Sequence, residues 1–140
     1  MAKITVSASA TNTTKTYIKA GKHSILIDEP PLFGGEDEAP SPVEMYLASI
    51  AGCINAAGQW IAKEMNMDLK KIDISIEGEV DGSKFLKNDN TFRAGFSEIV
   101  TSVRIVSDSE PSIQQEWLKQ VRERCPVIDN TENGTRFIMN

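Results

Sequence analysis

Cys53, Cys125 and His23 are the whole of the thiol and imidazole chemistry in this chain of 140 residues. A structural zinc site takes four such ligands at short spacings. Here there are three, far apart in sequence, with no CxxC and no HxxxH. Metal binding is therefore not expected. The motifs GxGxxG, GxxxxGK[ST] and GxSxG are absent as well, which removes the usual cues for a dinucleotide, a nucleoside triphosphate or a serine hydrolase. No cofactor is expected. What remains is thiol chemistry, or two thiols used only as small core hydrophobes.

The flanks of the two cysteines differ. Ala51-Gly52-Cys53 is small and apolar, and no Lys or Arg lies between Lys22 and Lys63. A cation stabilising a Cys53 thiolate would have to come from elsewhere in the fold or from another subunit. Cys125 follows Arg122-Glu123-Arg124 and precedes Pro126. Two arginines would lower its pKa, and the end of a helix would raise it. Glu44 stands nine residues before Cys53. At about 100° per residue it falls on the opposite side of a helix, so a capping role suits it better than catalysis. His23 opens a strand and reads as a structural or turn residue.

The elements that must position these residues can be read along the chain. Residues 3–9, 14–20 and 23–29 read as strands, the last two joined at Gly21-Lys22 as a hairpin. Ile4, Val6 and Ala8 share one face of the first. The segment 29–40, EPPLFGGEDEAP, is a long loop, either mobile or functional, with Glu36-Asp37-Glu38 as a solvated face. Ser41-Pro42-Val43-Glu44 joins a serine N-cap, proline at N1 and glutamate at N3. It predicts a helix to about Met65, with Ile50, Cys53, Ile54, Ala57, Trp60 and Ile61 along one side. Its many small residues predict a central, largely buried helix. Residues 72–80 alternate, with Ile72, Ile74 and Ile76 inward. Residues 87–95 read as a loop and 97–106 as a strand. A second helix is expected over 111–124, with Cys125 in its last turn or just beyond, and a closing strand over 135–139. Hairpins and segregated helices give an α+β class in one domain, 1–140.

Composition bounds the setting. Apolar residues are 40%, charged residues 25%, the net charge is -5 and the pI about 4.9. Such an acidic chain is a poor partner for nucleic acid or an anionic membrane. No apolar run approaches the roughly 20 residues of a membrane span, and the start MAKITVSASA does not read as a signal peptide. A cytoplasmic location is expected, where structural disulfides are rare.

Residues 34–53, GGEDEAPSPVEMYLASIAGC, and 122–130, RERCPVIDN, resemble the two cysteine motifs of the OsmC/Ohr family. GKHSILIDEP, 21–30, and RAGFSEI, 93–99, are similar to other segments of that family. The resemblance implies an OsmC-like fold, with antiparallel strands wrapped around two central helices in an interlocked homodimer and sites at the subunit interface. It implies a thiol peroxidase of oxidative-stress defence that reduces organic hydroperoxides. Cys53 would become a sulfenic acid, Cys125 would close a disulfide with it, and an external dithiol would reset the pair. The chain departs from the Ohr branch in two respects. Its first arginine is Arg93, so the hairpin arginine of that branch is missing. Val43 occupies the place of its glutamate, with Glu44 one residue later. Lys15, Lys19, Lys22 and Arg93 are candidates for the missing charge. The rival reading is a non-enzymatic module of the same fold, holding a fatty-acyl-like small molecule in an apolar cleft with both cysteines as packing.

Overall fold

The computed structural model describes residues 1–140. Three short strands come first: β1 (Val6–Ser9), β2 (Thr16–Ala20) and β3 (His23–Ile27). They form one antiparallel sheet in the order β1-β2-β3, with Ala20 opposite His23 at the Gly21-Lys22 turn. After the loop come α1 (Pro42–Glu64), β4 (Lys71–Glu79), the short α2 (Ser83–Lys87), β5 (Glu98–Val106), α3 (Pro111–Arg124) and α4 (Pro126–Asn133). β4 and β5 pair antiparallel over their full lengths, from Lys71 opposite Val106 to Glu79 opposite Glu98. The class is α+β, as expected.

The core is built by the second half of the chain. Ile50, Ile54, Ile61 and Ala62 of α1 bury against Met67 and against Trp117 and Val121 of α3. The inward faces of β4 (Ile72, Ile74, Ile76) and β5 (Ile99, Val103, Ile105) close over them. Tight contact between α1 and α3 rests on Gly58. A side chain there would bring its Cβ to 2.7 Å from Trp117 Cζ2, and the Trp117 indole N–H donates to the Gly58 carbonyl at 2.9 Å.

Two expectations about burial are corrected. Within the single chain, α1 is covered on one face only. Ala48, Ser49, Gly52, Asn55, Ala56 and Gln59 are exposed, and Trp60 is 65% exposed instead of facing inward with Ile61. The other correction concerns the β1–β3 sheet. No residue before Leu47 belongs to the core or packs against it, and the expected inner face of β1 is open, with Ile4 and Val6 exposed. A three-stranded sheet needs an apolar floor, and its own chain does not provide one. The expected strand over 135–139 does not form either. Phe137, Ile138 and Met139 are exposed in an irregular tail that pairs with no strand.

The loop between β3 and α1 is pinned instead of mobile. The fully buried Asp28 accepts from the Thr14 hydroxyl at 2.6 Å and from the amides of Glu36 and Glu38 at 3.2 and 3.1 Å. Its own N–H donates to the Pro40 carbonyl at 3.1 Å. Gly35 lies so close to the Glu29 carbonyl that a Cβ would fall 1.7 Å from the oxygen. These donors, the Thr14 hydroxyl foremost, hold the Asp28 carboxyl down at about 2, against an ordinary 3.8. Because the folded value is depressed, its contribution is complete above about 4 and disappears as pH falls toward 2. Asp28→Asn should be less stable than the parent at neutral pH and should lose less on acidification through that window. Parallel acid-unfolding curves by circular dichroism would contradict this.

Candidate functional site

α1 starts at the expected place and for the expected reason. The Ser41 hydroxyl accepts from the Glu44 amide at 3.3 Å, and the Glu44 carboxylate accepts from the Ser41 N–H at 2.7 Å. Those bonds, the backbone one first, lower the Glu44 carboxyl. Glu44 is thus a helix cap, as its spacing from Cys53 implies. Cys53 stands in mid-helix and is half-buried, between buried Ile54 and exposed Gly52.

Cys125 reaches the site from α3. Trp117, Val121 and Cys125 follow one another at four-residue steps on one face and are 1%, 2% and 0% exposed. Cys125 closes α3 through its N–H to the Val121 carbonyl and opens α4 through its carbonyl, which accepts from the Asp129 N–H. The fold sets its thiol against that of Cys53, 72 residues away in sequence, and both are free. Burial raises the Cys125 thiol above its ordinary value, and the facing Cys53 thiol raises it further. The backbone amides of Ile128 and Val127, in the first turn of α4, oppose that rise.

The electrostatics of Cys125 therefore differ from expectation. The two arginines beside it in sequence are engaged elsewhere. Arg122 pairs with Glu132 at 2.7 Å, and Arg124 pairs with Glu64, which also accepts from the Trp60 indole N–H. What lowers the thiol is the start of α4, an element that the sequence reading did not foresee. Pro126 ends α3, but it also occupies N1 of a new helix, a position that favours proline.

The candidate cations separate in the same way. Lys15 is held by Glu36 and, at 2.8 Å, by Glu38, which leaves it no charge to offer a thiolate in its own chain. Lys19 donates to the Ser24 hydroxyl. Lys22 and Arg93 have no carboxylate partner. His23 is exposed at the start of β3.

Beside the thiol pair lies a cavity of about 1130 Å³ between α1, β5, α3 and α4. Val43, Tyr46, Phe96, Leu118 and Ile128 give it apolar walls, and Arg93 adds a cation. Neither cysteine is on its wall, although Ile54 and Ile128, which are, stand one and three residues from them. Tyr46 and Phe96 stack with ring centroids 6.0 Å apart. The Tyr46 hydroxyl lies 2.7 Å from the Thr131 hydroxyl of α4. Sequence reasoning missed Tyr46, although it stands two helical turns before Cys53 and so shares its side of α1.

A family model described as OsmC-like protein matches residues 35–140. Solved structures are similar over nearly the whole chain. An OsmC-like protein from Mycoplasma pneumoniae superposes with a TM-score of 0.79 at 18% identity, covering 94% of this chain and 89% of that one. An organic hydroperoxide resistance protein OsmC from Legionella pneumophila gives 0.67 at 16%, covering 96% and 92%. The organic hydroperoxide resistance protein OhrB of Bacillus subtilis gives 0.57 at 21%, covering 94% and 91%. No curated protein matches the chain. At these identities the structures establish the fold.

Proposed function

Since the chain belongs to the OsmC-like protein family, we propose that it is a thiol peroxidase that reduces organic hydroperoxides in defence against oxidative stress, with Cys53 and Cys125 as its redox pair. The observation that carries this reading is the meeting of the only two thiols of the chain across the α1–α3 seam. The half-buried Cys53 suits the thiol that must meet substrate, and the fully buried Cys125 suits one that needs to reach only its neighbour. The Cys53 thiolate attacks the distal peroxide oxygen and the O–O bond breaks. An alcohol leaves after taking up a proton, and Cys53 becomes a sulfenic acid. The Cys125 thiol then displaces the sulfenic hydroxyl as water and forms the disulfide. An external dithiol returns both thiols by exchange and is itself oxidised. The names of the Legionella and Bacillus proteins support the substrate class.

The intact mass of reduced protein after brief exposure to stoichiometric cumene hydroperoxide tests the cycle. The parent should lose two hydrogens, and Cys125→Ser should retain one added oxygen, trapped as a sulfenic acid. Unchanged mass with both thiols free would overturn the reading. A second reading, a small-molecule binding module of the same fold, draws on the apolar cavity whose wall includes neither cysteine. Under that reading the same exposure changes nothing, and a bound apolar ligand is recovered by native mass spectrometry.

The working unit is proposed to be a homodimer. A chain of this mass folds to about 7,200 Å² of accessible surface when it stands alone, and this one exposes 10501 Å². The excess, about 3,300 Å² for each chain and so about 6,600 Å² for a pair, is at the upper end of obligate interfaces. Part of it is the small-residue face of α1 and the β1–β3 sheet, and the proposal puts the interface there, with strands of one subunit covering the helices of the other. A side chain at Gly52 meets nothing in its own chain. Gly52→Leu should therefore fold yet sediment as a monomer, whereas Asn88→Ala, in the α2 turn, should stay dimeric. Equal masses for Gly52→Leu and the parent would place the interface elsewhere.

A further inference from the structure

We propose that Trp60 is the anchor of the contact between two copies of this chain, its ring entering the apolar face of the other copy's β1–β3 sheet. The inference rests on the homodimer reading and assigns the side chain on which that interface turns. Gly52, Ala56 and Trp60 follow one another at four-residue steps on the exposed side of α1. Two small residues and then an indole give a shallow helix surface with one projecting ring, 65% exposed. A single exposed apolar side chain is ordinary on a protein surface. This one is set apart by how it is held.

The Trp60 indole N–H donates to Glu64 Oε1 at 2.8 Å. Arg124 grips the same carboxylate with both arms of its guanidinium, Nη1 to Oε2 at 2.5 Å and Nη2 to Oε1 at 3.1 Å. Gln120 accepts from Arg124 in turn, at 3.1 Å. The one polar atom of the ring is thereby satisfied within its own chain, so the ring can leave water without stranding a donor. Its rotamer is also set before any encounter, which removes the ordering cost that a free side chain meets on binding.

The same chain carries the counter-surface. Residues directly opposite in an antiparallel pair share a face, so the register puts Val6, Ala8, Ile18, Ala20, Ile25 and Ile27 on one side of the sheet. Only Thr16 and His23 on that side are polar. None of these residues belongs to the core or packs against it. A surface of Val, Ile and Ala receives an indole by contact alone. With the ring and the receiving face on one chain, a two-fold pairing satisfies both twice, each subunit giving its Trp60 to the sheet of the other. The surface this chain exposes beyond that of a lone domain of its mass is sufficient for such a pairing.

Trp60→Ala removes no core contact and should keep the circular dichroism of the parent. Sedimentation equilibrium over a dilution series should find its dimer dissociation constant raised about 10³-fold, because truncating an anchor costs at least about 30-fold and each dimer loses two. Glu64→Ala keeps the ring but frees it, and should raise the constant by about 10- to 100-fold, the ordering cost of two side chains. In Trp117→Phe, Trp60 is the only indole left. Acrylamide should quench it poorly in the dimer and freely once dilution has separated the subunits. An unchanged dissociation constant for Trp60→Ala, or a freely quenched Trp60 within a dimer, would overturn the anchor and leave the homodimer in place. A parent that sediments as a monomer at every concentration would remove the homodimer and the anchor together.

Discussion

Cys53→Ser is expected to abolish hydroperoxide turnover, a loss on the order of 10³-fold or more, because no other side chain can take the nucleophile's place. Its magnitude matters less than its contrast with Cys125→Ser. The second variant retains the attacking thiol, so it should consume about one equivalent of peroxide at the parental rate and then stall. Peroxide consumption by the pre-reduced variants, with no thiol added, distinguishes the two, since the first variant gives no burst and the second gives a burst of about one equivalent without turnover. A small monothiol donor added to Cys125→Ser should restore part of the turnover by resolving the sulfenic acid from solution. Full activity in Cys53→Ser would remove this cysteine from the mechanism. Loss of the burst in Cys125→Ser would mean that Cys125 takes part in the first step too.

The largest effect on stability should come from Trp117→Ala, a loss of about 3–5 kcal/mol. Trp117 is 1% exposed and fills the space that Gly58 leaves open in α1. Its removal deletes a large buried ring, opens a cavity and takes one donor from the Gly58 carbonyl. Against a typical total of 5–15 kcal/mol, such a loss leaves the chain close to unfolding. Urea unfolding followed by circular dichroism would measure it. Trp117→Phe should lose less, since most of the apolar volume stays. A change below about 1 kcal/mol for the alanine variant would mean that the α1–α3 seam is supported by something other than this contact. Because Trp117, Val121 and Cys125 share one helix face, the alanine variant should also close its disulfide more slowly wherever it remains folded.

Much of this was legible in the residues. Ser41-Pro42-Val43-Glu44 announced α1 because capping is local chemistry, complete within four residues. The alternation of Ile72, Ile74 and Ile76 announced β4 because one face of that ribbon is covered by its own chain. α3 falls where it was expected, over 111–124. α4 escaped because PVIDNTEN is rich in Asp, Asn and Thr, which favour turns and caps over helix interiors, and because Pro126 served equally well as a stop. Trp60 was misplaced for another reason. Helical spacing reports an apolar stripe but cannot say whether the stripe meets the core of the same chain or a second surface. The pairing of Cys53 with Cys125 was suggested by resemblance and not by spacing, since the 71 residues between them leave no local trace of their nearness. Tyr46 stood outside the apolar stripe read for α1, and its partner Thr131 on α4 lay beyond any periodic pattern.

The bare β1–β3 sheet has a consequence for the order of events in time. A chain made from its amino end presents residues 1–27 first, and in this fold none of those residues packs against the hydrophobic core that follows in the same chain. The segment that contains the core, from Leu47 onward, must emerge and consolidate before the first strands can become lasting structure. Where the proposed homodimer supplies that floor, folding runs against the direction of synthesis, and its last step waits on a collision between two subunits. Refolding from urea should show a fast phase independent of concentration, as helices and the β4–β5 ribbon assemble, and a later phase whose rate rises with protein concentration. In a cell, a chain made in small amounts would spend longer with its first strands exposed, and its survival would depend on how many copies are made nearby.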